Sequence, residues 1–245
     1  MDRINPKYQG KELEAMSFAI NYHQWIIEEL APFFGHNVVE VGAGVGDLSV
    51  MLLQTELQHL FAFEPSSNLF PSLRSRTEGL ARITAINEFF SPDHVPEAID
   101  SVLYINVLEH IDEDRAELLT ASQALQSGGC LLLFVPALSW LFSEADRSAG
   151  HFRRYHKKPL VTLVEELGFV VVKSRYFDLA GIIPWYVNFV LLNNTFSAGS
   201  VALYDKVVVP PMRLVEKLIT PPIGKNILIS RQEGMKPGHA YIQGA

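Results

Sequence analysis

Seven short apolar runs recur along the chain, and polar or turn residues follow each of them. The runs are NVVEVG from Asn37, HLFAFE from His59, ARITAIN from Ala81, DSVLYINV from Asp100, GCLLLFVP from Gly129, FVVVKSRYF from Phe169 and NILISRQ from Asn226. Continuous apolar runs of this length are typical of β-strands that are buried on both faces. The pattern therefore predicts seven strands.

Segments with apolar residues at helical spacing separate these strands. The predicted helices cover residues 11–30, 47–56, 66–77, 112–126 and 159–168. Pro32 ends the first helix, and the acids that begin the fourth favour a helix start there. Alternating strands and helices predict an α/β fold with a doubly wound, mostly parallel sheet.

Residues 179–225 interrupt this alternation before the last strand. The stretch contains five prolines and several aromatic residues, and we predict that it is a lid-like insertion rather than an independent domain. Residues 1–35 are predicted to form an N-terminal helical cap. A chain of 245 residues with this organisation is expected to be one domain.

Composition narrows the classes of function. The formal net charge is −7, and 48% of the residues are hydrophobic. An acidic globular chain argues against nucleic-acid binding, which needs a broad face of Lys and Arg. The polar N-terminus does not fit a signal peptide, and the apolar stretch 179–192 is too short for a membrane span. We expect a cytoplasmic protein without stable membrane insertion, as a monomer or homodimer.

A glycine-rich turn follows the first strand and is the first sign of a ligand. Gly42, Gly44 and Gly46 permit a tight turn and close approach of a ligand to the backbone. Asp47 stands where a dinucleotide fingerprint requires its third glycine. Glu64 ends the second strand, 22 residues after Gly42, where an acid can accept hydrogen bonds from both ribose hydroxyls. The spacing predicts a nucleoside ligand without a pyrophosphate.

Four segments together resemble the class I S-adenosylmethionine (SAM) methyltransferases, in the broad group that acts on small molecules. They are VVEVGAGVGDLSV, FAFEPS, INVLEHIDED and LQSGGCLLLFVPA, and the resemblance covers about residues 36–178. It implies a Rossmann-like sheet of seven strands whose last strand is antiparallel, with SAM at the C-terminal edge as cofactor and S-adenosylhomocysteine as product.

The resemblance also implies which residues contact each part of SAM. The implied contacts are Glu40, Gly42, Ala43, Gly44, Gly46, Asn106, Val107 and Leu108 for the methionine part, Glu64 for the ribose, and Glu88 and Phe89 for the adenine. Pro65, which follows Glu64, is a further expected cofactor contact. The family usually has Asp after the third strand, where this chain has Glu88 preceded by Asn87. Phe89 could equally be a core residue.

The segment after the fourth strand bears on the acceptor. Methyltransferases that modify nucleic-acid bases often carry an Asn/Asp-Pro-Pro-Tyr motif there, and this chain has INVLEHID instead, which indicates a small-molecule acceptor and no nucleic acid. Glu109 and His110 could suggest a metal ion. A single His beside acids at a helix start is more often a cap, so no metal is expected.

A basic stretch, DRSAGHFRRYHKKP, follows the fifth strand at the predicted ligand edge. Similar runs occur in a subset of the small-molecule methyltransferases, which suggests that His151, Arg154 and Tyr155 form part of an acceptor pocket. The alternative is structural: Arg153 and Arg154 would pair with loop carbonyls or with the acids of DEDRAE. If the acceptor needs a general base, the candidates are His110 and His151.

Aromatic residues are expected to complete the acceptor wall. The candidates are Tyr22 and Trp25 of the first helix, Trp140 after the fifth strand, and Trp185, Tyr186 and Phe189 of the insertion. Such a wall suits a flat heterocycle, although each aromatic residue alone is more often part of the core.

These features predict a SAM-dependent methyltransferase of a small aromatic or heterocyclic metabolite, with N-methylation in bacterial secondary metabolism as the expected reaction. Chain length and aromatic content resemble the toxoflavin-type heterocycle N-methyltransferases within this group. Two alternatives stay open: O-methylation of a sugar, glycolipid or polyketide, and a SAM-binding scaffold without catalysis.

Overall fold

The computed structural model describes residues 7–10, 12–95 and 98–233. It contains all seven predicted strands: β1 (Asn37–Val41), β2 (His59–Phe63), β3 (Ile83–Ile86), β4 (Ile99–Ile105), β5 (Leu125–Pro136), β6 (Phe169–Phe177) and β7 (Asn226–Glu233). They form one sheet in the order β3-β2-β1-β4-β5-β7-β6. β7 runs antiparallel to both β5 and β6, and the other pairs are parallel, which confirms the expected fold class.

The helices of the alternating part lie on both faces of the sheet. They are α1 (Glu12–Met16), α2 (Ile20–Leu30), α3 (Asp47–Leu52), α4 (Phe70–Thr77), α5 (Asp114–Ala124), α6 (Glu144–Ala149) and α7 (Lys157–Glu166). Val39 and Val41 of β1 pack into the core on one face, and Val38 packs into the core on the other. Burial on both sides explains why Val38, Val39 and Val41 are all apolar although they point to opposite faces.

The predicted helix over residues 11–30 is two helices in the structure, because the chain breaks at residues 17–19. Residue 11 lies outside the described residues. The backbone amides of Asn21 and Tyr22, in the first turn of α2, donate to the carboxylate of Asp205 at 3.1 and 2.8 Å. A side chain distant in sequence therefore caps α2, and the prediction of one helix is wrong.

Helix α6 is an element that the sequence pattern did not predict. Ser143 caps its N-terminus together with Asp146, and Gly150 ends it with a φ of +86°. The basic stretch that includes Gly150 and His151 thus begins in a helix and leaves it through a left-handed turn.

The insertion between β6 and β7 is helical. Its elements are α8 (Ile182–Trp185), which continues as a π-helix over Tyr186–Leu191, then α9 (Ala198–Val207) and α10 (Val209–Leu218). α9 contacts α1 and α2, and α10 contacts α2. The insertion therefore packs on the N-terminal helices. No helix within the described ranges combines the length and hydropathy needed to cross a bilayer.

Candidate active site

The glycine-rich turn between β1 and α3 leaves the sheet at the carboxyl ends of the parallel strands. Gly42 has a φ of +72°, and a Cβ there would lie 2.6 Å from Cγ2 of Val107. Gly44 has a φ of +58°, but a Cβ there would make only ordinary van der Waals contact, with Cδ1 of Leu13 3.8 Å away. The turn thus packs on Val107 at one glycine and presents bare backbone to a cavity at the other.

Glu64 lies behind this turn at the end of β2. Its Oε2 accepts a hydrogen bond from the backbone amide of Gly44, and its Oε1 accepts one from that of Ser66, both at 2.7 Å. Burial raises the pKa of Glu64, and these hydrogen bonds oppose the rise. Each carboxylate oxygen has a second lone pair, so both can also accept a hydrogen bond from a ligand hydroxyl.

Glu40, in β1, is buried beside the turn. Its Oε2 accepts a hydrogen bond of 2.5 Å from the hydroxyl of Ser49 in α3. Burial raises the pKa of Glu40 to about 7, although the hydrogen bond from Ser49 opposes this. A carboxyl group with this pKa changes charge near neutral pH, and a cationic ligand group next to it would favour the ionised form.

The residues after β3 are arranged differently from a buried ligand-binding acid. Glu88 is exposed, and its Oε2 lies 3.0 Å from Nδ1 of His94. The Asn87 side chain donates to the backbone oxygen of Glu64 at 2.8 Å, which ties this loop to the end of β2. Phe89 is half-buried, whereas Phe90 is buried against the ring of Phe63.

The loop after β4 brings the other expected methionine contacts to the same edge. Asn106 has a φ of +52°, and the Asn226 side chain lies at 3.5 Å from its Oδ1. Leu108 is fully buried in the core. Asn106 therefore faces the ligand edge, Val107 supports the glycine turn, and Leu108 anchors the loop.

A cavity of about 200 Å³ lies beside these loops. Of the expected cofactor residues, its wall includes Glu40, Gly42, Ala43, Gly44 and Asn106; those outside the wall are Gly46, Glu64, Pro65, Val107, Leu108, Glu88 and Phe89. The same wall also includes Glu109, His110, His151 and Arg154. One cavity thus connects the glycine turn with the candidate acceptor residues.

Three of these residues, Glu109, His110 and His151, form a cluster. A carboxylate oxygen of Glu109 and one ring nitrogen of each histidine all lie within 4.8 Å of one another. The two imidazole rings meet edge to face at a centroid distance of 4.5 Å. Burial lowers the pKa of His110 to about 3, so its ring is neutral at physiological pH. The expectation of no metal rested on one histidine, and the fold brings a second beside it.

Asp146 organises the basic stretch. Its Oδ1 lies 3.0 Å from Nδ1 of His151 and accepts a hydrogen bond from Nε of Arg154 at 2.9 Å, and its Oδ2 accepts from the amide and hydroxyl of Ser143. Burial alone would raise the pKa of Asp146, but the hydrogen bond from His151 and the charge of Arg154 outweigh it and lower that pKa. The carboxylate is therefore ionised and holds both side chains in place.

The remaining residues of the basic stretch attach it to neighbouring loops. Arg153 forms ion pairs of 2.9 Å with Asp112 and with Asp114. The Tyr155 hydroxyl donates to the backbone oxygen of Leu108 at 3.2 Å and lies 3.0 Å from Oδ2 of Asp114. Arg153 thus makes the structural contacts that the sequence suggested as the alternative, and Tyr155 lies outside the cavity wall.

The aromatic candidates separate into two groups. Tyr22 and Trp185 line the first cavity and also a second one of about 330 Å³, which Phe189 lines as well. Trp25 is buried in the core, with its ring centroid 3.9 Å from that of Phe177. Trp140 is 49% exposed and contacts Tyr186, and both lie outside the walls of these two cavities.

Several wall residues carry no signal in the sequence that singles them out. They are Tyr8, Phe196, Lys225 and Asn226, which come from the N-terminus, the insertion and the segment before β7. The sequence singles out Glu109 only as a possible metal ligand beside His110. Asp146 could not be found from the sequence, because its partners are identified only by the fold.

The comparisons with known proteins agree with this architecture. The model of the methyltransferase domain family matches residues 17–174, and the chain belongs to that family. It is a SAM-dependent methyltransferase, with SAM as cofactor and S-adenosylhomocysteine as product. No curated protein matches the chain significantly.

Solved structures of similar fold are distant in sequence. A SAM-dependent methyltransferase from Mesorhizobium loti is 14% identical with a TM-score of 0.56, over 82% of this chain and 92% of that chain. One from Archaeoglobus fulgidus is 16% identical with a TM-score of 0.56, over 84% and 91%. Haemonchus contortus phosphoethanolamine N-methyltransferase 2, with phosphomonomethylethanolamine and S-adenosylhomocysteine, is 16% identical with a TM-score of 0.58, over 87% of this chain and 52% of that chain.

Proposed function

We propose that this enzyme methylates a nitrogen of a small aromatic or heterocyclic metabolite in bacterial secondary metabolism. The observation that carries the proposal is that the wall of one cavity contains the glycine turn together with Trp185, Tyr22 and the two histidines. Flat acceptors stack favourably on such rings. In its most specific form, the proposal names a toxoflavin-like pyrimidotriazine as the acceptor.

The cofactor end fits SAM. The bare backbone at Gly44 leaves room for the methionine part, which Glu40 and Asn106 would also contact. Glu64 would bind the ribose through the lone pairs that its backbone contacts leave free. Glu88 and Phe89 are the proposed adenine neighbours. When bound, SAM supplies a methyl group on a sulfonium centre whose leaving group is neutral.

At the acceptor end, the chain has to position the nucleophile. Methyl transfer needs the attacking atom about 3 Å from the methyl carbon and in line with the bond that breaks. We assign stacking to Trp185 and Tyr22, and we assign contact with the nucleophile to His110 and His151. In a neutral His151, the contact with Asp146 places the proton on Nδ1, so Nε2 can accept a proton or another electrophile.

Residues 179–225 would act as a lid over this site, and residues 1–35 as a cap, within one domain. Arg154, whose guanidinium carbon lies 4.4 Å from the Trp185 ring centroid, connects the lid with the basic stretch. Closure over the acceptor would exclude water from the transfer. We further propose a cytoplasmic enzyme that acts as a monomer or homodimer without nucleic-acid partners.

O-methylation of a sugar, glycolipid or polyketide is the second candidate. The second cavity favours it, because it extends the acceptor site beneath the lid and shares Tyr22, Trp185 and Lys225 with the first cavity. A larger acceptor with an apolar part would use both cavities. The non-catalytic scaffold is set aside because the chain belongs to the methyltransferase family.

A transfer assay with methyl-labelled SAM tests the proposal on three sets of acceptors: N–H heterocycles, phenols, and sugars or glycolipids. We expect labelled product from the heterocycles. Trp185→Ala should raise the KM for the acceptor with little change in SAM affinity, and Trp140→Ala is the matched control because Trp140 lies outside both cavities. Transfer confined to sugars or glycolipids would favour the second candidate and contradict the first.

A further inference from the structure

Glu109 is the least explained side chain of the cavity wall. It is 0% exposed, yet neither carboxylate oxygen has a hydrogen-bond partner among the described residues. An unpaired buried carboxylate is costly, and native structures normally pair it with a cation, a donor or a metal ion. Within the described part of the chain, no residue supplies the hydrogen-bond partner that the buried Glu109 carboxylate needs.

The two histidines beside Glu109 are prepared to donate lone pairs. In the neutral form of His151, the contact between Nδ1 and Asp146 favours the proton on Nδ1, which leaves Nε2 as the lone-pair donor. A neutral His110 ring likewise has one nitrogen without a proton, which can act as a ligand atom. A carboxylate or carbonyl behind an imidazole is the usual outer-shell support of a metal-binding histidine.

We propose that Glu109, His110 and His151 bind a divalent transition-metal ion, with Asp146 as a positioning residue behind His151. Two imidazoles and one carboxylate are a ligand set typical of Zn²⁺, and three protein ligands leave a fourth position open. Tetrahedral bonds of about 2.0–2.1 Å place ligand atoms about 3.4 Å apart, so the cluster must contract from its present 4.8 Å. The open position would face the cavity shared with the glycine turn.

Such an ion would define the role of His110 and His151 in methyl transfer. This step of the inference rests on the proposed function. The nucleophilic oxygen or nitrogen of the acceptor would occupy the open position and lose its proton to bulk water, because a metal ion lowers the pKa of a bound donor. The new bond to the methyl carbon then forms as the sulfonium bond breaks. Under this inference His110 and His151 act as ligands, and no general base is needed.

Metal binding by the purified full chain tests the inference without an acceptor. After treatment with a chelator, Zn²⁺ would be titrated by calorimetry, and Co²⁺ would be followed by its visible absorption. We expect one ion per chain, with absorption typical of a four-coordinate nitrogen and oxygen site. Glu109→Gln and His151→Ala should each weaken binding at least tenfold, and Asp146→Asn should weaken it about 10–100-fold.

His36→Ala is the matched control, because His36 is an exposed histidine that precedes β1 at the opposite edge of the sheet. Melting temperature and SAM affinity of every variant separate loss of the site from loss of the fold. Absence of one-to-one binding, or equal binding by wild type, Glu109→Gln and His151→Ala, would overturn the inference. Normal metal binding without SAM binding would instead contradict the proposed function.

Discussion

The guanidinium carbon of Arg154 lies 4.4 Å from the centroid of the Trp185 ring, so the basic stretch and the insertion meet over the cavity. Arg154 is almost fully buried, and its Nη2 lies 2.8 Å from Oδ1 of Asp146. Arg154 thus joins three parts of the site: the lid, the support of His151 and the carbonyl of Ala137. Its role in the acceptor pocket and its role in the fold are therefore coupled.

Arg154→Ala is expected to lower both stability and turnover. The change leaves the Asp146 carboxylate buried without its cation, and removal of one partner of a buried ion pair costs about 3–5 kcal/mol. Because salt screens buried pairs little, the effect should not shrink between 0.05 and 0.5 M salt. Urea unfolding and kinetics at both salt concentrations measure this.

The exposed Phe152→Ala is the control. A salt-dependent loss of turnover without any loss of stability would indicate that Arg154 steers an anionic acceptor instead.

Glu64→Ala should weaken SAM binding by about 1.5–3 kcal/mol, the usual cost of losing hydrogen bonds to a charged group. The change also removes the acceptor of the Gly44 amide, so the glycine turn loses support. Calorimetric titration of SAM measures the effect. Glu64→Gln keeps the shape and loses the charge, and it should fall between wild type and Glu64→Ala. Unchanged SAM affinity in a folded Glu64→Ala variant would show that the ribose lies elsewhere.

Gly44→Val should abolish SAM binding while the protein still folds. A branched side chain would extend from the turn towards the cavity that Gly44 lines, and the positive φ adds a cost on the order of 1 kcal/mol. Gly168→Val is a matched control, since Gly168 has a φ of +88° and no atom near its Cβ position but lies at the end of α7. Both variants carry the same strain, and only Gly44→Val should lose SAM. Equal SAM affinity in the two would remove this turn from the site.

Glu40→Gln should stabilise the protein at alkaline pH. The pKa of Glu40 is raised from 4.5 to about 7, so between these values the folded state holds a proton that the unfolded state has lost. The free energy of unfolding of the wild type therefore falls as pH rises through this window. The advantage of Glu40→Gln should be about 2–3 kcal/mol larger at pH 8 than at pH 5.

Urea unfolding of both proteins at the two pH values measures this difference. The other titrating groups contribute equally to the unfolding free energy of both proteins, so their contributions cancel. SAM affinity should fall in Glu40→Gln if the carboxylate contacts the methionine part. An advantage of equal size at pH 5 and pH 8 would show that Glu40 does not titrate in this range.

The strands and the glycine turn could be predicted because their signals are local. A run such as HLFAFE shows burial on both faces of β2, and Gly42 and Gly44 show where the backbone needs a positive φ. Chain order alone then brings Glu64 to the edge of the sheet beside that turn.

The aromatic wall could not be predicted residue by residue. Trp185 lies in the more apolar stretch of the sequence and Trp25 has polar neighbours, yet Trp25 packs on Phe177 in the core and Trp185 lines both cavities. Which face of a helix meets the sheet depends on its packing partners. Similarly, only Asp205 of α9 explains why α2 begins at Ile20.

The sequence by itself determined the sheet, the cofactor turn and the acid at the end of β2, since these depend on residue type and on neighbours a few positions away. Only the tertiary structure decided that His151 meets His110 beside an unpaired Glu109, and that Asp146 supports His151 from behind. Two loops that are about forty residues apart come together there because β4 and β5 are adjacent parallel strands whose carboxyl ends share one edge. No local sequence pattern indicates that these two loops lie close together.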